Sequence, residues 1–159
     1  MMLAEKIAQL AESQIGVRET STNGGAEIAD YQRATWLPVG PWPWCAAFIC
    51  WVVREAMDEL DTKWTFKRPR TAGAWDLEKW CLSVDNSARL KRRPVTVKRG
   101  DIVIFTFSHV GIAVGDLDAN GMVATVEGNT NDAGSREGDG CYRKHRHISK
   151  IRSIIRFTV

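Results

Sequence analysis

The sequence predicts an α+β fold, helices first and an antiparallel sheet second, and two patterns carry that reading. Apolar residues recur at helical spacing up to about Leu82, and from Asp101 onward runs rich in Val, Ile, Phe and Thr are punctuated by turn residues. No repeat or low-complexity linker separates the two halves. At 159 residues with 44% hydrophobic content, the chain has enough material for one core and too little for two, so a single domain over residues 1–159 is expected.

Leu3, Ile7 and Leu10 give one apolar face to an opening helix that runs to about Gln14. Thr22 to Gly25 reads as a Gly and Asn-rich loop, and a short helical segment follows around Glu27 to Ala34. Pro43 then introduces the most apolar helix. The run Trp44 to Val53 is ten residues, too short to span a bilayer and suited to a buried core helix. A further helical stretch is expected near Thr71 to Leu82. Strands are expected at Asp101–Phe107, His109–Gly115, Met122–Glu127 and Ile151–Val159, with Asp118-Ala119-Asn120-Gly121 as an intervening turn. Asn129 to Gly140 is full of Gly, Asn, Asp and Ser and reads as a mobile, exposed loop.

The formal net charge is +3, with basic residues clustered at Arg89, Lys91, Arg92, Arg93, Lys98 and Arg99 and again from Arg143 to Arg156. Basic surface favours polyanionic partners, although a solvated face is the commoner explanation of such clusters. Glu5, Lys6 and Glu12 interrupt the opening segment, which therefore lacks the apolar stretch of a secretory signal. Synthesis in the cytoplasm without a signal peptide is expected, with no stable membrane insertion. Cys45, Cys50, Cys81 and Cys141 form no CxxC pair, so reduced thiols are expected.

Chemistry concentrates at Pro41-Trp42-Pro43-Trp44-Cys45-Ala46-Ala47-Phe48. Proline at a helix start places Cys45 in the first turn, where unpaired N–H groups and the helix dipole stabilise a thiolate and can hold an oxyanion. A lone cysteine on an apolar helix is ordinarily just a small buried hydrophobe, and Cys50, Cys81 and Cys141 read that way. A nucleophile needs a base, and His109 in Ser108-His109-Val110-Gly111-Ile112-Ala113-Val114 is the best candidate. Alternation puts His109, Gly111 and Ala113 on one strand face, small enough for a helix to approach closely. His145 and His147 sit among cations and read as surface residues. Cys141-x3-His145-x-His147 resembles a metal site, but it lacks a fourth ligand, and accidental clustering is favoured. Glu127 and Asn129 are two apart at a strand end, so either could accept a hydrogen bond from Nδ1 of His109.

These residues resemble a known family, the CHAP amidohydrolase and peptidase domains of the NlpC/P60 papain-like superfamily. The likeness rests on Trp44-Cys45-Ala46-Ala47-Phe48, Gly100-Asp101-Ile102-Val103-Ile104-Phe105, the His109 segment and Val126-Glu127-Gly128-Asn129-Thr130, in that order. It implies a papain-like core, with the nucleophile helix packed on an antiparallel sheet, and a catalytic set of Cys45, His109, Glu127 and Asn129. It further implies cleavage of amide bonds in peptidoglycan, as an N-acetylmuramoyl-L-alanine amidase or as an endopeptidase of stem peptides and cross-bridges. A phage-type endolysin that reaches the wall after release fits best; an idle wall-binding module and a cysteine amidase on another substrate are the rivals. Some relatives bind calcium through acidic residues before the nucleophile, but Tyr31 to Trp44 contains no Asp or Glu, so no metal and no cofactor are expected. Trp42 and Trp44 are expected to line the substrate groove, with core packing as an equal alternative. Peptidoglycan is the expected partner, nucleic acid is not, and the protein is expected to be a monomer.

Overall fold

Four helices precede a six-stranded sheet in the computed structural model, which describes residues 1–159. The helices are α1 (Leu3–Ser13), α2 (Ala26–Gln32), α3 (Cys45–Leu60) and α4 (Asp76–Ser83). The strands are β1 (Ala88–Arg92), β2 (Ile102–Phe105), β3 (Val110–Ala113), β4 (Met122–Thr130), β5 (Gly140–His147) and β6 (Ile151–Phe157). They lie in the order β1-β6-β2-β3-β4-β5, every neighbouring pair antiparallel.

Register sorts the apolar side chains between two faces. Ile102 pairs with Ile112 and Ile155, and Ile112 with Val126, which aligns one row of side chains across the middle of the sheet. That row meets Leu3, Ile7, Ala8 and Ala11 of α1, Ile28 and Tyr31 of α2 and nearly the whole inner surface of α3 in the main core. On the opposite face Val97, Val103, Phe105, Ala113, Val123, Ile151 and Ile154 form a smaller core. α3 stops at Asp61, which adopts the left-handed conformation (φ 44°) that commonly ends helices. No helix is long and apolar enough to cross a membrane.

The sheet is broader than its sequence pattern implies, because β1 and β5 fall in segments read above as basic clusters and loop. Much of that basic charge is turned to internal use. Arg99 donates to Glu5 (2.9 Å) and Glu12 (2.6 Å), Arg156 to the buried Asp101 (2.8 Å), and Arg152 to Glu78 (3.1 Å). α4 begins at Asp76 and not near Thr71, since the Thr71 hydroxyl accepts from the N–H of Gly73 and holds a turn there. The segment between β4 and β5 is strapped down where a free loop was expected. Lys144 Nζ donates to the carbonyls of Asn131 (3.0 Å) and Asp132 (2.6 Å), Arg146 to that of Gly134 (3.0 Å), and the N–H of Glu19 to that of Asp139 (2.7 Å).

Candidate active site

Cys45 is the first residue of α3 and is 7% exposed. The helix opens with the N–H of Phe48 donating to the carbonyl of Trp44 (2.9 Å), and no side chain caps it. The N–H groups of Cys45, Ala46 and Ala47 therefore have no intrahelical acceptor, and the positive end of the helix falls at the thiol.

His109 reaches the thiol from the sheet. It sits in the turn just before β3, after Ser108 in the left-handed conformation (φ 55°), and is fully buried. Its ring packs parallel to Phe105 and Phe107, with centroids 5.9 and 5.8 Å away, which fixes the ring plane. Nε2 lies 3.0 Å from Oε1 of Glu127. Nδ1 is buried and without a hydrogen-bond partner, and the Cys45 thiol lies near enough to the ring to favour its charged form. The orientation is the reverse of the one expected from sequence, where Nδ1 faced the third residue. His109 enters from a turn and not from within a strand, and this leaves Nδ1 toward the helix and Nε2 toward the sheet.

Glu127 is fully buried yet fully bonded. Besides His109 it accepts from Thr125 Oγ1 at Oε2 (2.6 Å), from Arg146 Nε at Oε2 (2.8 Å) and from Arg146 Nη2 at Oε1. Burial pushes its carboxyl up, but the Arg146 guanidinium and then His109 outweigh that and hold it down at about 2. For His109 burial disfavours the charged ring, while the bonds to Cys45 and Glu127 prevail and lift it to about 9. The site is thus built to keep a buried carboxylate and to favour an imidazolium beside it.

Several expectations need correction. Gly111 and Ala113 do not face the helix: Val110, Ile112 and Val114 do, and Ala113 belongs to the small core on the other side. What Gly111 clears is space for Glu127, because a Cβ there would lie 2.6 Å from Glu127 Cγ. Asn129 does not bond His109. A bulge after Glu127 and a left-handed backbone at Asn129 (φ 56°) break the alternation that would have put both side chains on one face, and both polar atoms of its amide are buried without a partner. Trp44 does not line a groove. It is fully buried, stacks on Tyr31 at 5.6 Å and donates Nε1 to Glu19 (2.8 Å). Trp42 is half-buried, with Nε1 donating to the carbonyl of Pro38 (2.9 Å).

The remaining sulfurs and imidazoles lie elsewhere. Burial pushes the thiols of Cys50 and Cys141 up to about 12 and that of Cys81 to about 11. Cys50 donates to the carbonyl of Thr71 (3.3 Å), and Cys141 faces the Tyr31 hydroxyl (3.8 Å). His145 and His147 are exposed on β5, and no group of three His, Cys, Asp or Glu residues is placed to hold a metal ion.

Arg146 and Thr125 are the site residues that sequence reasoning missed. Arg146 stands opposite Val123 on β5, and its guanidinium also lies over the rings of Phe105 (5.1 Å) and Phe107 (5.2 Å). The available signal was the alternation Tyr142, Lys144, Arg146, which marks one face of a strand once β5 is recognised.

Comparison with known proteins bears on the fold and the family. The chain resembles the crystal structure of a wild-type endolysin, LysIME-EF1, with a TM-score of 0.60 at 16% sequence identity over 98% of this chain. It spans 64% of the length of that endolysin, and the likeness is one of fold. No curated protein matches the sequence. The CHAP domain family matches residues 38–129, more than half of the sequence and a stretch that holds Cys45, His109, Glu127 and Asn129. On that match the chain belongs to the CHAP domain family.

Proposed function

We propose that the chain is a peptidoglycan hydrolase of the endolysin type that cleaves a wall amide through a Cys45 acyl-enzyme, as an N-acetylmuramoyl-L-alanine amidase or a stem-peptide or cross-bridge endopeptidase. The observation that carries this reading is the buried chain of contacts from the Cys45 thiol through His109 to Glu127 at the start of α3. Nδ1 of His109 takes the thiol proton, and the sulfur attacks the scissile carbonyl carbon. The C–N bond then breaks as the imidazolium returns that proton to the departing amine, leaving a thioester. Water, giving a proton to His109, attacks the thioester, and the thiol leaves with that proton. In both steps the N–H of Cys45 faces the developing oxyanion. Glu127 holds the ring and stabilises its charged form. Asn129 follows Gly128, which touches Trp44 and Phe48 beside the first turn of α3, and its unpartnered amide is assigned to holding substrate or the attacking water. Trp42 is assigned to the groove rim.

Purified peptidoglycan incubated with the wild type and with Cys45→Ala, followed by mass spectrometry of the released fragments, tests the reading. The expected result is release of peptide or glycopeptide with a new amino terminus or a freed lactyl carboxylate, and a loss of at least about 10³-fold in Cys45→Ala with little change in melting temperature. Equal release by both proteins would refute the mechanism, and no release by either would favour a wall-binding module.

A further inference from the structure

A concave surface lies apart from Cys45. It is a cleft of about 960 Å³ between the C-terminal half of α3, the segment from Trp64 to Thr71 and α4. Neither Cys45 nor His109 lines it. Arg54, its nearest α3 residue, is nine positions beyond Cys45 and hence about 13 Å along the helix.

Its walls are rigid and its charges are partly unmet. Trp64 donates Nε1 to the carbonyl of Met57 (3.1 Å) and Trp80 donates Nε1 to that of Lys67 (2.9 Å), so both indoles are pinned, half-buried beside Phe66, and line the cleft with the surface that remains. Trp36 stands at the mouth, 75% exposed, with the Arg70 guanidinium 5.3 Å from its ring centroid. Arg68 is tied only through Nη1, to the carbonyls of Ala34 (2.6 Å) and Pro69 (3.0 Å). Neither Arg68 nor Arg70 pairs with a carboxylate, whereas Arg54 is engaged by Glu55 (2.9 Å). Burial and then the proximity of Arg70 and Arg54 press the Arg68 guanidinium below its ordinary range, and the more distant charge of Asp58 only partly offsets them.

We infer that this cleft is a non-catalytic binding site for an anionic saccharide, whose rings lie on Trp36, Trp64 and Trp80 and whose carboxylate or phosphate is taken by Arg68 and Arg70. A guanidinium fork matches either oxyanion in bidentate fashion. The same cleft also presents Asp58, Asp76 and Asp85. These carboxylates repel a continuous polyphosphate and accept hydrogen bonds from hydroxyl or acetamido groups, which favours a glycan bearing isolated charges over nucleic acid. The connection to the wall rests on the function proposed above; the chemistry of the cleft does not. Trp36 donates its backbone N–H to the carbonyl of Arg70 (2.9 Å), and the chain from Trp36 leads directly to Cys45. A strand seated in the cleft is thereby held next to the loop that enters the catalytic helix.

The test follows the indole N–H resonances of the wild type by NMR during titration with three probes: N-acetylmuramic acid–N-acetylglucosamine oligosaccharides, neutral N-acetylglucosamine oligosaccharides of equal length, and N-acetylglucosamine 6-phosphate. The acidic glycan should bind at least about 10-fold more tightly than its neutral twin and shift the Trp36, Trp64 and Trp80 signals. Arg70→Gln and Trp36→Ala, with melting temperatures checked against the wild type, should each weaken binding about 5- to 10-fold. A response to the phosphate sugar alone identifies phosphate as the oxyanion and keeps the site. Binding of acidic and neutral glycans with the same measurable affinity, binding of an acidic stem peptide without any glycan, no response to any of the three probes, or unchanged binding in both variants would overturn the inference. Because binding is read without turnover, a cleft that fails here leaves wall hydrolysis standing, and an inactive protein that binds leaves the cleft standing.

Discussion

His109 and Arg146 share one carboxylate, and the division sets the chemistry of the site. Glu127→Gln removes the charge that stabilises the imidazolium and leaves the Arg146 guanidinium uncompensated nearby. Both effects lower His109 from about 9, so the alkaline side of the rate profile should move to lower pH, with kcat/KM falling about 10- to 100-fold. Arg146→Leu acts in the opposite sense. It removes a competing cation, so His109 should titrate at higher pH, while the rate falls because Glu127 loses two of its four bonds. Rate profiles of the two variants on one soluble substrate check the pair; shifts of the same sign would contradict this division. That Cys45, His109 and Glu127 come together was legible because the roles proposed for them need particular residue types at a helix start and on neighbouring strands, although His109 lies in the turn before β3 and not within the expected strand. Arg146 was not, because nothing in a run of Arg, Lys and His says which side chain turns inward.

At the level of elements, the two missed strands are the two edges of the sheet. β1 (Ala-Arg-Leu-Lys-Arg) and β5 (Gly-Cys-Tyr-Arg-Lys-His-Arg-His) carry the charged side chains that discourage edge-to-edge association. Their charge hides them beside β2, β3 and β6, which announce themselves as runs rich in Val, Ile and Phe. Two glycines show how closely the elements meet at the site. A Cβ on Gly128 would lie 2.8 Å from Trp44 Cζ3 and 2.9 Å from Phe48 Cβ, so Gly128→Ala must push α3 off β4. It should cost about 1–3 kcal/mol in urea denaturation. At Gly111 the obstruction is Glu127 itself, so Gly111→Ala should lower kcat about 10²-fold by moving the carboxylate, beyond what its change in stability explains. Unaltered kcat in Gly111→Ala would show that Glu127 tolerates displacement.

Across the whole molecule, the buried pair links stability to pH. The raised His109 contributes stability that is complete below about 6.5 and is lost as pH climbs through 9. The depressed Glu127 contributes stability that is complete above about 4.5 and is lost as pH falls toward 2. Denaturation midpoints should therefore be highest between these limits, and His109→Gln should flatten the alkaline decline, a term on the order of 3 kcal/mol at most. An identical alkaline decline in His109→Gln would assign it to other groups. The central claim, that Cys45 is a nucleophile served by His109, is tested most directly by the rate at which iodoacetamide alkylates each cysteine. Peptide mapping of wild type and His109→Ala at pH 5 to 8 supplies those rates. The account predicts that Cys45 reacts at least about 10²-fold faster than Cys50, Cys81 and Cys141, whose thiols are buried and pushed up to between about 11 and about 12, and that His109→Ala removes most of this advantage. Uniformly slow labelling of all four cysteines, or Cys45 labelling unchanged in His109→Ala, would contradict it.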